Sequence, residues 1–188
     1  MTAMAERGYV RLALPAEAPD IARLQRGAWS DPGHPGHAMA AALDPDELTA
    51  VWERSIARPP LAAYRVLVAV VGADPHEGGF GERVVGFVAV APSDDPDSGP
   101  GDGTVTELVV ADGDEHDGHR SRLIQAAVDT LRADGFDIAR WWVPSTSDDL
   151  RRELDESGWG PDGAHLELRH PDDESVRIKL VRLHTAIS

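Results

Sequence analysis

Cysteine is absent from this chain of 188 residues, which removes disulfides, thiolate metal sites and cysteine nucleophiles together. Long apolar runs are missing too. No segment approaches the roughly 18 uninterrupted apolar residues of a membrane span, and the opening "MTAMAERGYVRLALP" holds no signal-type apolar stretch. The expected location is therefore the cytoplasm, with no membrane association. Basic residues are outnumbered: 18 Lys and Arg against 33 Asp and Glu leave a formal net charge of -15. Such a field repels nucleic acid and anionic lipid, which argues against both as partners. It favours cationic partners such as amines or basic peptides, and serves equally as a solubility device.

What is present suffices for one sizeable core. Hydrophobic residues make up 41% of the chain, no internal repeat or linker interrupts it, and a single domain over residues 1–188 is expected. "YVRLAL" (9–14) has strand character. "PAEAPDIARLQRGAW" then places Ile21, Leu24 and Ala28 at helical spacing. "DPDELTAVWERSIA" carries a stronger helix signal, with Asp44 as cap, Pro45 in the first turn and Glu47 at capping-box distance. Leu48, Val51, Trp52 and Ile56 are expected on one face.

Two β-branched runs follow, "YRVLVAVV" (64–71) and "RVVGFVAVAP" (83–92), joined by a Gly-rich hairpin connection. "SDDPDSGPGDG" (93–103) has the composition of a mobile polar loop. A strand "TVTELVV" (104–110) then leads into "ADGDEHDGHRSRLIQAAVDTLRADGF", whose helix shows Ile124, Val128 and Leu131 on one face and stops at Gly135. "FDIARWWV" predicts a strand, with Trp141 and Trp142 on opposite faces, one for the core and the other for a cleft or a homodimer contact. "STSDDLRRELDESGW" predicts a short helix capped by Ser147, and "GAHLELRH" and "VRIKLVRLH" close the chain as two alternating strands around "PDDES".

This order of elements, with "ELVV", "GHRSRLIQAAVDTLRADGF" and "DESGW" in sequence, resembles the GNAT superfamily of acyl-CoA-dependent N-acyltransferases over nearly the whole chain. The resemblance implies an α/β fold with one mixed, largely antiparallel sheet flanked by helices on both faces. It also implies acetyl-CoA as cosubstrate. Leu108, Val109 and Val110 would pair with the pantetheine arm, and Gly118, His119, Arg120, Ser121 and Arg122 would form the phosphate-binding start of the long helix. The physics of that start is general: free backbone N–H groups and the positive end of a helix dipole attract anions.

Several positions depart from the family pattern. The loop pattern of Arg or Gln, two residues, Gly, one residue, then Gly or Ala falls on Glu115, Gly118 and Arg120, and only Gly118 matches. Arg120 puts a long side chain where glycine lets phosphate approach the backbone. Glu115 can only accept hydrogen bonds, and Asp112, Asp114 and Asp117 add like charge. At roughly 7 Å in water each carboxylate–phosphate pair costs about 0.6 kcal/mol. Arg120, Arg122 and His119 offset this if they turn toward the ligand. The family's general acid, a Tyr of the last helix, aligns with Leu154, and a cofactor-contacting Asn aligns with Ser147, which either bonds the ligand or caps its helix.

For a general base the candidate is Glu107, which shares strand parity with Val109 and is directed to the cleft face unless a bulge intervenes. No metal site is expected. His34 and His37 in "DPGHPGH" lack a third ligand, and "DGDEHDGH" has Asp117 and Leu123 where a calcium loop needs Gly and an acid. Two functions stay open: an N-acetyltransferase acting on a primary amine of a small molecule or protein, and a GNAT-fold binding or assembly module that has lost acetyl-CoA use.

Overall fold

In the computed structural model, which describes residues 8–40, 42–72, 81–111, 113, 118–169 and 177–188, the β-branched runs form the middle of one seven-stranded sheet. Its strands are β1 (Tyr9–Leu12), β2 (Arg65–Gly72), β3 (Glu82–Pro92), β4 (Asp102–Val110), β5 (Ile138–Pro144), β6 (Gly160–Arg169) and β7 (Arg177–Ala186). Their spatial order is β1-β2-β3-β4-β5-β7-β6. All neighbours are antiparallel except β4 and β5, whose parallel pairing requires the crossover through α4 (His119–Ala133).

Each face of the sheet is covered by helices, because alternate strand residues are apolar on both sides. On one face α4 lays Leu123, Ile124, Ala127 and Leu131 over Val85, Val88, Val90 and Val105. On the other, α1 (Ala18–Trp29) and α3 (Pro45–Ala57) set Ile21, Leu24, Trp52 and Ile56 against Val68, Val70 and Phe87. Burying a side chain of this kind stabilises the fold by about 1.5–3 kcal/mol. The close seating of α4 depends on Gly103, where a Cβ would stand 2.5 Å from Leu131 Cδ2. The expected class, a mixed and largely antiparallel sheet between helical layers, is the observed one. No helix among the described residues is long and apolar enough to cross a membrane.

Local signals hold at several places. Asp44 Oδ1 accepts from the N–H of Asp46 at 2.8 Å and of Glu47 at 3.1 Å, which caps α3. Gly135 ends α4 with a left-handed φ of 90°. The α3 stripe is narrower than expected: Leu48, Trp52 and Ile56 turn inward, whereas Val51 is 49% exposed. A four-residue helix, α2 (His37–Ala40), adds an element that the sequence reading lacks.

The segment 93–101 is not the free polar loop its composition suggests. Arg182 of β7, only 6% exposed, donates to both oxygens of Asp97 at 2.6 Å, to Asp95 at 3.1 Å and to Asp162 at 2.6 Å. Its guanidinium also lies over the Trp142 ring, whose Nε1 donates to Asp95 at 2.9 Å. Arg140 binds Asp97 and Asp102. Trp141 meanwhile packs in the core, so the pair does face opposite ways. Trp142, on the opposite face, fastens the loop.

Candidate active site

The parallel pairing of β4 and β5 stops at Val105 and Trp141, although β4 runs on to Val110 and β5 to Pro144. The strands part beyond that point. The edge of β4 over residues 106–110 therefore faces a gap, while its other edge stays bonded to β3. The gap opens into a cleft of about 1480 Å³ lined by Leu108, Val109, Val110, Arg120 and Ser147, among others. Arg23, Arg83 and Arg152 also reach its wall, against Asp31, Asp148 and Asp149. In a chain of formal charge -15, four arginines around one cleft make a local exception that suits an anionic ligand.

A bulge in β4 sets which way its side chains point. Ala89 pairs with Glu107 and Val90 with Val105, so Thr106 is the extra residue. Without it, Glu107 would share Val105's face under α4. With it, Glu107 and Val109 lie on the α1 face, and Leu108 and Val110 pack toward α4. The expected parity holds within 107–110 because all four residues follow the bulge.

Glu107 does not line the open cleft, contrary to expectation. Its face is roofed by α1 and the segment 30–37, and its side chain is 15% exposed. Oε2 accepts from Trp29 Nε1 at 3.2 Å and from Gln25 Nε2 at 3.4 Å. Gln25 is oriented in turn by Trp52 Nε1, which donates to its Oε1 at 2.8 Å. His34 Nε2 stands 3.4 Å from Oε1.

No protein-family model matches the chain, and neither does any curated protein. Solved structures do. An acetyltransferase of the GNAT family from Streptococcus pneumoniae matches with a TM-score of 0.68 at 14% identity, over 96% of this chain and 99% of that one. The chain has the GNAT fold. A GCN5-related N-acetyltransferase from Kribbella flavida gives 0.68 at 20% identity, covering 96% and 98%. A proposed acetyltransferase from Salmonella typhimurium, solved with its cofactor acetyl-CoA, gives 0.71 at 16%, covering 96% and 94%.

Within this GNAT fold the predicted residues separate into two groups. Leu108, Val109, Val110, Arg120 and Ser147 meet at the cleft. His119 does not: it is 1% exposed, and its ring packs where a Cβ on Gly8 would stand 2.7 Å from Cε1. Arg122 follows it, with Nη1 3.1 Å from His119 Nδ1, and Ser121 turns back to bond the Gly118 carbonyl at 3.1 Å. The first turn of a helix directs these side chains around its axis, so only one of the three consecutive residues 119–121 can face the cleft.

Gly118 occupies the N-cap of α4 with a left-handed φ of 70° and brings no side chain to the first-turn N–H groups. Arg120 reaches the cleft wall, yet its Nε is held by Glu153 Oε2 at 2.5 Å. Asp112, Asp114, Glu115 and Asp117 lie outside the described residues.

One expectation in α5 (Asp148–Glu156) changes. Ser147 stands at its N-cap position without a side-chain capping bond, leaving the hydroxyl on the cleft wall. Leu154 is fully buried in the core, so no proton donor reaches the cleft from that position. His34 and His37 diverge, His37 Nδ1 lying 3.0 Å from the Trp29 carbonyl oxygen, and no group of three metal-ligating side chains occurs among the described residues. The residue that sequence reading missed in this site is His34 as a neighbour of Glu107. Its only signal was a Pro- and Gly-bounded loop that places histidines at fixed points.

Proposed function

We propose that the protein is an N-acetyltransferase that moves an acetyl group from acetyl-CoA to a primary amine of a small molecule or protein. The observation that carries this reading is the parting of β4 from β5 beside an arginine-walled cleft. The open edge of β4 supplies N–H and C=O groups for an extended amide chain, and Arg120, with Arg23, Arg83 and Arg152, supplies charge for phosphates. Acetyl-CoA contributes the activated acyl carbon. A backbone N–H of β4 polarises the thioester carbonyl, and Glu107, set back from the cleft wall, takes through water the proton that the amine sheds as its C–N bond forms. Leu154 offers no proton to the departing sulfur.

A second reading keeps the fold and drops the chemistry, because function lives in the site and not in the fold. The anchored Arg120 and the buried Leu154 favour it. Calorimetric titration of acetyl-CoA and CoA into the native chain and Arg120→Gly separates the two. Binding by the native chain is expected, followed by amine-dependent release of CoA. Absence of binding by both proteins at millimolar ligand would remove the transferase reading, and binding by Arg120→Gly alone would mark a lapsed site.

A further inference from the structure

We infer that His34 is a positioning residue for Glu107, its Nε2 aimed at the carboxylate so that Oε1 is the oxygen turned toward the acceptor amine. The inference rests on the transferase reading, and it adds a residue and an atom to it. The first observation is a tautomer. Gly36 N–H donates to His34 Nδ1 at 3.0 Å, so Nδ1 is the acceptor and the ring proton of neutral His34 resides on Nε2. That nitrogen is the one 3.4 Å from Glu107 Oε1.

The second observation is the rigidity of the strap that delivers His34. Asp31 Oδ1 accepts from Gly33 N–H at 2.8 Å, and the Asp31 carbonyl accepts from His34 N–H at 2.9 Å. Gly36 lies flat on the Trp29 indole, where a Cβ would come within 2.3 Å of the ring. The Trp29 and His34 rings are 6.2 Å apart, both on Glu107. Strap and carboxylate are thus built as one unit.

The third is a count of lone pairs. A carboxylate has about four acceptor sites. Trp29 and Gln25 take the two on Oε2, and His34 stands at one on Oε1. No side chain among the described residues donates a hydrogen bond to Oε1, which has only the His34 ring beside it. The bonds on Oε2 orient the carboxylate without pairing it to a Lys or Arg among the described residues, which suits a base that must meet an amine. The groups around it are few: α1 presents Gln25 and Trp29, β3 presents Ala89, and the strap carries Asp31 and His37 besides His34. Arg169 of β6 lies beyond, near His37.

Two measurements test this. Proton–nitrogen correlation spectra of the nitrogen-labelled protein, with His34→Gln to assign the signal, are expected to show the Nε2–H tautomer. An Nδ1–H tautomer would overturn the inference, whether or not the protein is a transferase. The second measurement is the pH profile of acetyl transfer to a panel of primary amines. His34→Leu should lower kcat about 10-fold at an unchanged KM for acetyl-CoA and move the acid limb to higher pH, since Glu107 loses a donor. His34→Gln, which keeps an N–H donor, should restore most of the rate. An unmoved acid limb in His34→Leu also sinks the inference. If the native chain transfers to no amine, the transferase reading fails, and the spectra still decide whether His34 holds Glu107.

Discussion

Arg120 Nε donates to Glu153 Oε2 at 2.5 Å, so the side chain that stands where the family pattern has glycine is anchored from α5. Only one of its nitrogens is used in this bond, and the guanidinium still borders the cleft. Glu153 lies instead on the smaller adjoining groove with Ser121 and Arg152. Removing that carboxylate's charge leaves Arg120 to an anionic ligand. Glu153→Gln should therefore tighten CoA binding about 2- to 5-fold at low salt, with the gain fading as salt rises. Weakened binding in calorimetry would mean instead that Glu153 orients Arg120 for its ligand. The pair is partly exposed, so its loss should change stability by less than about 1 kcal/mol.

Gly36→Ala tests the strap. A Cβ would meet the Trp29 ring, and relief requires the strap to lift from α1. Amide exchange over residues 31–37 should quicken, with a melting change of only a few degrees because the sheet core is untouched. Transfer activity should fall in parallel as His34 leaves Glu107. Unchanged exchange would show that the indole moves and the strap does not.

Leu154→Tyr restores the residue type of the missing acid but not its role. Leu154 is fully buried beside Trp159, so the larger ring overpacks the core. A loss of about 1–3 kcal/mol by urea denaturation is expected, with no rise in kcat. A faster enzyme of native stability would contradict the packing described above.

Arg182→Met removes the charge that fastens the 93–101 loop and leaves the carboxylates around it uncompensated. Stability at neutral pH should drop by about 3 kcal/mol. Hydrogen bonds from Arg182 hold the Asp97 carboxyl well below the usual carboxylate range. Burial pushes Asp162 up, but the Ala164 N–H and Arg182 outweigh it and leave it lowered. Both folded values lie under the unfolded ones. The stability these groups contribute is therefore fully present above about pH 4 and lost as pH falls through the folded values. Denaturation midpoints of the native chain should decline through that acid window, and the decline should be shallower in Arg182→Met.

Much of the fold was legible because its determinants are short-ranged. Asp44 before Pro45, Gly135 after a periodic run, and the β-branched stretches of β2 and β3 each act over a few residues, and each stands where periodicity and turn chemistry placed it. Val51 fails the same logic because α3 meets the sheet through a narrow stripe, and the width of a contact depends on the partner. The loop 93–101 fails it more fully: its acids suggest solvent, and Arg182 stands on a strand far along the chain.

The sequence alone determined the order and type of the elements apart from α2, the GNAT-like layering and the candidate strand and helix of the cleft, since hydrophobic period and capping are local properties of the chain. Tertiary structure decided the chemistry. The bulge at Thr106 turned Glu107 toward α1, where Trp29, separated from it by 78 positions, and His34 close around it. Packing of α4 and α5 placed His119 and Leu154 in the core and Arg120 against Glu153. Such relations depend on which faces meet when distant segments fold together, and no local pattern in the chain encodes that meeting.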